Sequence, residues 1–141
     1  MKKRLKLGVI VVICLLALTV ISIYSVPQLR VTLFVNLYHE LIEEGISAGN
    51  GVPSDEAILL GYRSVNSWDD HHPMTEFIVM SIGDTYYGCY YSPDDVPLAF
   101  QNADAELATR GQNRWEWSAD GDNHGETFKI MKCWYFFKAS F

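Results

Sequence analysis

The sequence predicts an α+β fold: an N-terminal transmembrane helix, then an amphipathic helix packed on an antiparallel β-meander of about five or six strands. Three observations carry this expectation. Residues 7–26 hold no charge and are dominated by Val, Ile, Leu and Ala. Apolar residues recur at helical spacing from Leu33 to Ile42. After Pro53, runs rich in Tyr, Thr, Val and Trp alternate with turns bearing Gly, Asp and Pro.

A chain of 141 residues allows one domain with a modest core. An apolar content of 49% and an aromatic content of 13% exclude a disordered chain. The charge divides sharply into two regions, 1–30 and 31–141. Lys2, Lys3, Arg4, Lys6 and Arg30 fall in the first with no acid, and the second sets six basic residues against all 17 acids, a net −11. So acidic a domain is repelled by a phosphate backbone, which argues against nucleic acid as a partner.

Twenty helical residues span roughly 30 Å, the depth of a bilayer's hydrocarbon core. Residues 7–26 are therefore expected to cross the lipid bilayer, Thr19 and Ser22 bonding back to the helix's own carbonyls. The basic tip stays in the cytoplasm, which makes the protein a single-pass protein of the cell membrane with its C-terminal domain outside. A cleaved signal peptide is the competing reading. Its small residues at −3 and −1 are only poorly imitated by Val20/Ser22 and Ile23/Ser25, so the uncleaved anchor is preferred. Either way the domain is exported.

Pro27 suits the first turn of a second helix, which either continues the first or pivots at Ser25-Val26-Pro27. Leu33, Phe34, Leu37, Tyr38, Leu41 and Ile42 form one apolar stripe on it, expected to face the core, and Gly45 lies near its end. Strands are expected at 57–68, 74–82, 85–92, 105–109 and 114–118, with one long last strand from Thr127 to about Ala139. Short loops between successive strands favour a meander, with the helix covering one face.

Few residues carry recognisable chemistry. Cys89 and Cys133, both placed mid-strand in an oxidising compartment, are a candidate disulfide; the alternative is two buried thiols. Asp120 to Glu126 imitates a calcium loop, but the twelfth position is Met131 rather than Glu, so a polar turn is expected. Asp69-Asp70-His71-His72-Pro73 reads as a solvated turn, since adjacent histidines on extended chain point apart. No nucleophile elbow, P-loop, zincin or dinucleotide fingerprint is present, and no cofactor is implied. Of 19 aromatic residues, 13 follow position 85. One helix covers only one face of a small sheet, so Trp115, Trp117, Trp134 and Tyr135 are a candidate binding face for a glycan or peptide. The alternative is cross-strand aromatic pairing.

Two stretches, Tyr86-Tyr87-Gly88-Cys89-Tyr90-Tyr91-Ser92-Pro93-Asp94-Asp95 with Val96-Pro97, and Gly121-Asp122-Asn123 with Ile130 and Trp134-Tyr135-Phe136-Phe137, carry a resemblance. From about Leu37 onward the chain resembles small bacterial proteins with an N-terminal anchor, a short exported domain and no assigned activity. Cys89 and Cys133 depart from that group's usual pattern. The function expected is a non-enzymatic, membrane-anchored binding module facing an envelope protein or cell-wall glycan. The alternative is a small cell-envelope hydrolase using carboxylates that sequence spacing does not identify.

Overall fold

A computed structural model describes residues 2–49, 51, 61–69 and 72–141, two helices and a seven-stranded antiparallel sheet in an α+β arrangement. Residues 57–60 of the first expected strand, and Asp70 and His71 of the histidine turn, lie outside the described residues. Helix α1 runs Lys2–Ser25 and α2 runs Pro27–Ser47. Pro27 lacks an N–H and holds a helical φ, so it opens α2, while Val26 before it is extended (φ −106°, ψ 106°). Of the two geometries expected at 25–27 the chain adopts the pivot, and the helices meet at 93°. Among the described residues no single helix is long and apolar enough to cross a membrane, whereas the bent pair satisfies that test together.

The strands are β1 (Ser64–Trp68), β2 (Met74–Ile82), β3 (Thr85–Tyr91), β4 (Leu107–Gly111), β5 (Arg114–Ser118), β6 (His124–Met131) and β7 (Trp134–Ser140). Their order is β1-β2-β3-β7-β6-β5-β4: two meanders joined where β7 adds beside β3. The single long strand expected at 127–139 is thus two strands. They are folded back at Lys132-Cys133, where Cys133 adopts φ +63°. Neither residue is a turn former, so composition concealed the hairpin.

Two strand glycines let rings cross the sheet. A Cβ at Gly88 would lie 2.0 Å from the Phe77 carbonyl oxygen and 2.7 Å from the Phe137 ring; one at Gly125 would lie 2.3 Å from the Lys138 carbonyl oxygen and 2.5 Å from Trp117.

The helix-side core joins Val31, Phe34, Val35 and Ile42 of α2 to Phe77, Val79, Cys89, Trp134 and Phe136. Trp134 Nε1 donates to Glu43 Oε1 at 2.7 Å, tying β7 to the helix. Only half of the expected stripe faces this core. Leu33, Leu37 and Leu41 remain 40%, 63% and 43% exposed, because Val31 and Val35 complete a row with Phe34 and Ile42 that turns the other leucines outward.

The opposite face is not open either. Met74, Tyr90, Trp117, Tyr135, Phe137 and Ala139 pack beneath Leu98, Ala99 and Phe100. These belong to a strap, residues 92–106, that crosses from β3 to β4 and contains a 3-10 turn, Phe100–Asn102. The strap bonds to itself at two turns, Asp95 N–H to the Ser92 carbonyl and Asn102 and Ala103 N–H to the Ala99 and Phe100 carbonyls, and side chains of the sheet satisfy other groups of its backbone. Tyr90 Oη accepts the Leu98 N–H at 2.8 Å, and Glu76 Oε2 accepts that of Gln101 at 3.0 Å. Asp95 adopts φ +56° and anchors the strap's start: Oδ1 accepts the Cys133 N–H at 2.7 Å, and Oδ2 pairs with Lys129 Nζ at 2.5 Å. Tyr135 Oη donates to the Asp95 carbonyl at 2.8 Å. The Lys129 ammonium beside Asp95 holds its carboxyl below the ordinary range.

Candidate functional site

The four aromatic residues expected to form a binding face do not lie together on the surface. Trp134 is buried in the helix-side core, Trp117 and Tyr135 are buried under the strap, and only Trp115 is half-exposed. The expectation that one helix leaves a face bare overlooked the strap, which carries the apolar residues Leu98, Ala99 and Phe100 inside a segment that reads as turn and loop. Cross-strand pairing takes the rings instead: Phe128 stacks on Phe136 (centroids 4.5 Å apart) and Tyr90 on Tyr135 (5.1 Å).

The cysteines do not meet. β7 does add beside β3, the arrangement a bridge required, but Cys89 stands opposite Phe136 and Cys133 lies three residues earlier, in the β6–β7 turn. Three strand steps are about 10 Å, beyond disulfide reach. Both thiols, and that of Cys14, are free. Burial pushes the Cys89 thiol well above its usual range, with Glu76 adding to the effect. Burial and then the Asp95 charge raise that of Cys133, so neither favours a reactive thiolate.

The other sequence candidates resolve into turns. In the Asp120–Glu126 segment the Ala119 N–H donates to the Asn123 carbonyl at 2.9 Å, and His124 Nδ1 sits 2.7 Å from the Asp122 carbonyl oxygen. His72 Nδ1 lies 3.2 Å from Asp94 Oδ2, and Asn102 Nδ2 donates to the His72 carbonyl at 3.2 Å, which helps tie the strap down. His39 Nδ1 faces the Val35 carbonyl oxygen one turn back, at 3.1 Å. Among the described residues no three His, Cys, Asp or Glu side chains gather as a metal site would require.

A polar row that the sequence reading missed crosses the helix-side face on β5, β6 and β7. Strand register sets Glu116 opposite Glu126, and Glu126 opposite Lys138. With His124 and Ser140 they line an open, shallow hollow of about 220 Å³ floored by Gly125. Two carboxylates facing each other across a strand pair repel, with Cβ atoms about 5 Å apart. Here they are flanked by cations, since Arg110 Nε pairs with Glu116 Oε2 at 2.7 Å and Lys138 stands beside Glu126. The row offers acceptors in its middle and donors at its ends. That suits hydroxyls or amides of a ligand lying across the strands. Period-two alternation in Arg114-Trp115-Glu116-Trp117-Ser118 could have shown Glu116 facing away from the tryptophans, but not which strands would bring Glu126 and Lys138 beside it.

One buried acid stands apart. Glu76 is fully buried between the sheet and the strap; Oε2 holds the Gln101 N–H, and among the described residues Oε1 has no hydrogen-bond partner. Burial raises its pKa from 4.5 to about 7, partly offset by the Gln101 amide and by Asn66, its register partner on β1. It lies beneath Phe100 and Gln101 with no exposed surface, so it serves the strap rather than the hollow.

No protein-family model, no curated protein and no solved structure matches the chain.

Proposed function

We propose that this protein is a membrane-anchored extracytoplasmic binding module, held in the cell membrane by residues 7–26, whose exported acidic domain engages an envelope protein or cell-wall glycan. The observation that carries the anchor is the exposure of α1: every side chain described from Gly8 to Ser22 is exposed, including Val9, Ile10, Ile13, Leu16 and Ile21 at more than half of their surface. A helix apolar all round and covered by none of the other described residues is stable only in a non-aqueous surrounding. The binding surface is the shallow row of Glu116, Glu126 and Lys138 rather than the aromatic residues. A reporter fused after Phe141 should be exported, and the full chain should resist extraction from membranes by alkaline carbonate. Crosslinking in intact cells should recover a partner that Glu126→Ala with Lys138→Ala releases. A processed form about 25 residues shorter refutes the anchor. A partner held equally by the double variant refutes the site.

The second reading, a small envelope hydrolase, is favoured by one observation: Glu116 and Glu126 face each other in register beside His124. One carboxyl would protonate a leaving group while the other activates water or attacks. Release of soluble fragments from purified cell wall, lost in both Glu116→Gln and Glu126→Gln, would establish it over binding alone.

A further inference from the structure

α2 is apolar on two sides, and the sheet covers only one of them. Val31, Phe34, Val35 and Ile42 face the core, while Val26, Leu29, Leu33, Leu37 and Leu41 stay between 40% and 63% exposed. At 100° per residue, Leu29, Leu33 and Leu37 centre on the side directly opposite the buried row. Leucines repeated at i, i+4 and i+8 make a continuous ridge, which solvated helix faces do not ordinarily carry. Glu40 and Glu44 fall on this side only near its C-terminal end, farthest from α1.

Two further observations bear on what covers this ridge. It begins at Val26, five residues beyond Ile21, the last exposed large apolar side chain described on α1, so the two apolar surfaces follow one another along the chain. The pivot at Pro27 sets α2 at 93° to α1, so if α1 stands along the bilayer normal then α2 lies in the plane of the surface. We infer that α2 is an interfacial helix whose Leu29–Leu33–Leu37 ridge rests in the outer lipid surface and seats the sheet on the membrane. The inference rests on the proposed anchor and adds a second lipid contact with a fixed orientation. An amphipathic helix of this kind buries its apolar side among headgroups and upper acyl chains. The domain would then be held against the bilayer rather than swinging on a tether, with the sheet stacked on the side of α2 away from the lipid.

The test uses the full chain with Cys14→Ser and Cys133→Ser, Cys89 being buried, reconstituted in vesicles of phosphatidylethanolamine and phosphatidylglycerol. Single cysteines replace Leu33, Leu37 or, as an aqueous reference, the exposed Thr109 on β4; each carries a polarity-sensitive fluorophore. Labels at 33 and 37 should be blue-shifted and quenched severalfold more by nitroxide-bearing lipid than by aqueous iodide, with the ratio reversed at 109. Iodide quenching at 33 and 37 equal to that at 109, in protein that still resists carbonate extraction, would overturn the inference and leave the anchor standing. Shielding from both quenchers would overturn it in favour of a protein partner or second copy on the ridge. Extraction of the chain by carbonate would overturn the anchor and the inference together.

Discussion

Replacing Glu76 by Gln should stabilise the domain above neutral pH and slightly destabilise it in acid. Glu76 has no exposed surface, and among the described residues its Oε1 has no hydrogen-bond partner. Its folded pKa of about 7 against an ordinary 4.5 means that the folded state holds the proton more tightly than the unfolded chain. Stability from this group is therefore complete below pH 4.5 and is lost as pH rises through 7. At 1.36 kcal/mol per tenfold change in proton affinity the loss is about 3 kcal/mol, and levels off above pH 8. Glutamine keeps the shape and the acceptor for the Gln101 N–H without the charge, but its new N–H2 must find a place near Asn66, so about 2 kcal/mol is the net gain expected at pH 8. Thermal unfolding of the full chain in detergent, followed by tryptophan fluorescence between pH 4 and 9, measures both proteins. The wild-type midpoint should fall by roughly 10 °C relative to the variant's across that range. Parallel pH profiles for the two would refute the assignment of a buried acid that titrates near neutrality.

Other perturbations probe the same architecture. Tyr90→Phe removes the acceptor of the buried Leu98 N–H, and should cost about 1–3 kcal/mol and speed amide exchange in the strap more than in β3. Gly125→Ala pushes a methyl into the Lys138 carbonyl and the Trp117 ring, so a loss of about 2–3 kcal/mol with a red shift of tryptophan emission is expected. Asp95→Asn should weaken the hold on Lys129 at neutral pH. Because the Asp95 pKa is depressed, its contribution is present above the ordinary carboxylate range and disappears as pH falls through its folded value, so variant and wild type should converge in acid when denaturation midpoints are compared. Thiol titration of the unreduced, unfolded chain should find all three cysteines reactive, in line with their separation.

The α+β class, the helix beginning at Pro27 and most strands follow from the sequence by itself, because periodicity and proline act locally: hydrophobic spacing and a missing N–H need no distant partner. The split of charge at residue 30, and with it the reason to expect export, is likewise a property of the chain alone. What the tertiary structure decided depended on contacts between residues far apart. Six alternating apolar positions on α2 could not say which row the sheet would take; packing against Phe77 and Trp134 chose Phe34 and Ile42 and left Leu33 and Leu37 outside. The break at Lys132-Cys133 is held by the β6–β7 ladder and by Asp95 rather than by a turn-forming residue, so no local signal marked it. That break brought β7 beside β3, held Cys133 away from Cys89, and aligned Glu126 between Glu116 and Lys138. The strap shows the same limit, since residues 93–104 read as irregular chain until the side chains of Tyr90, Glu76 and Tyr135 supply hydrogen bonds to its backbone.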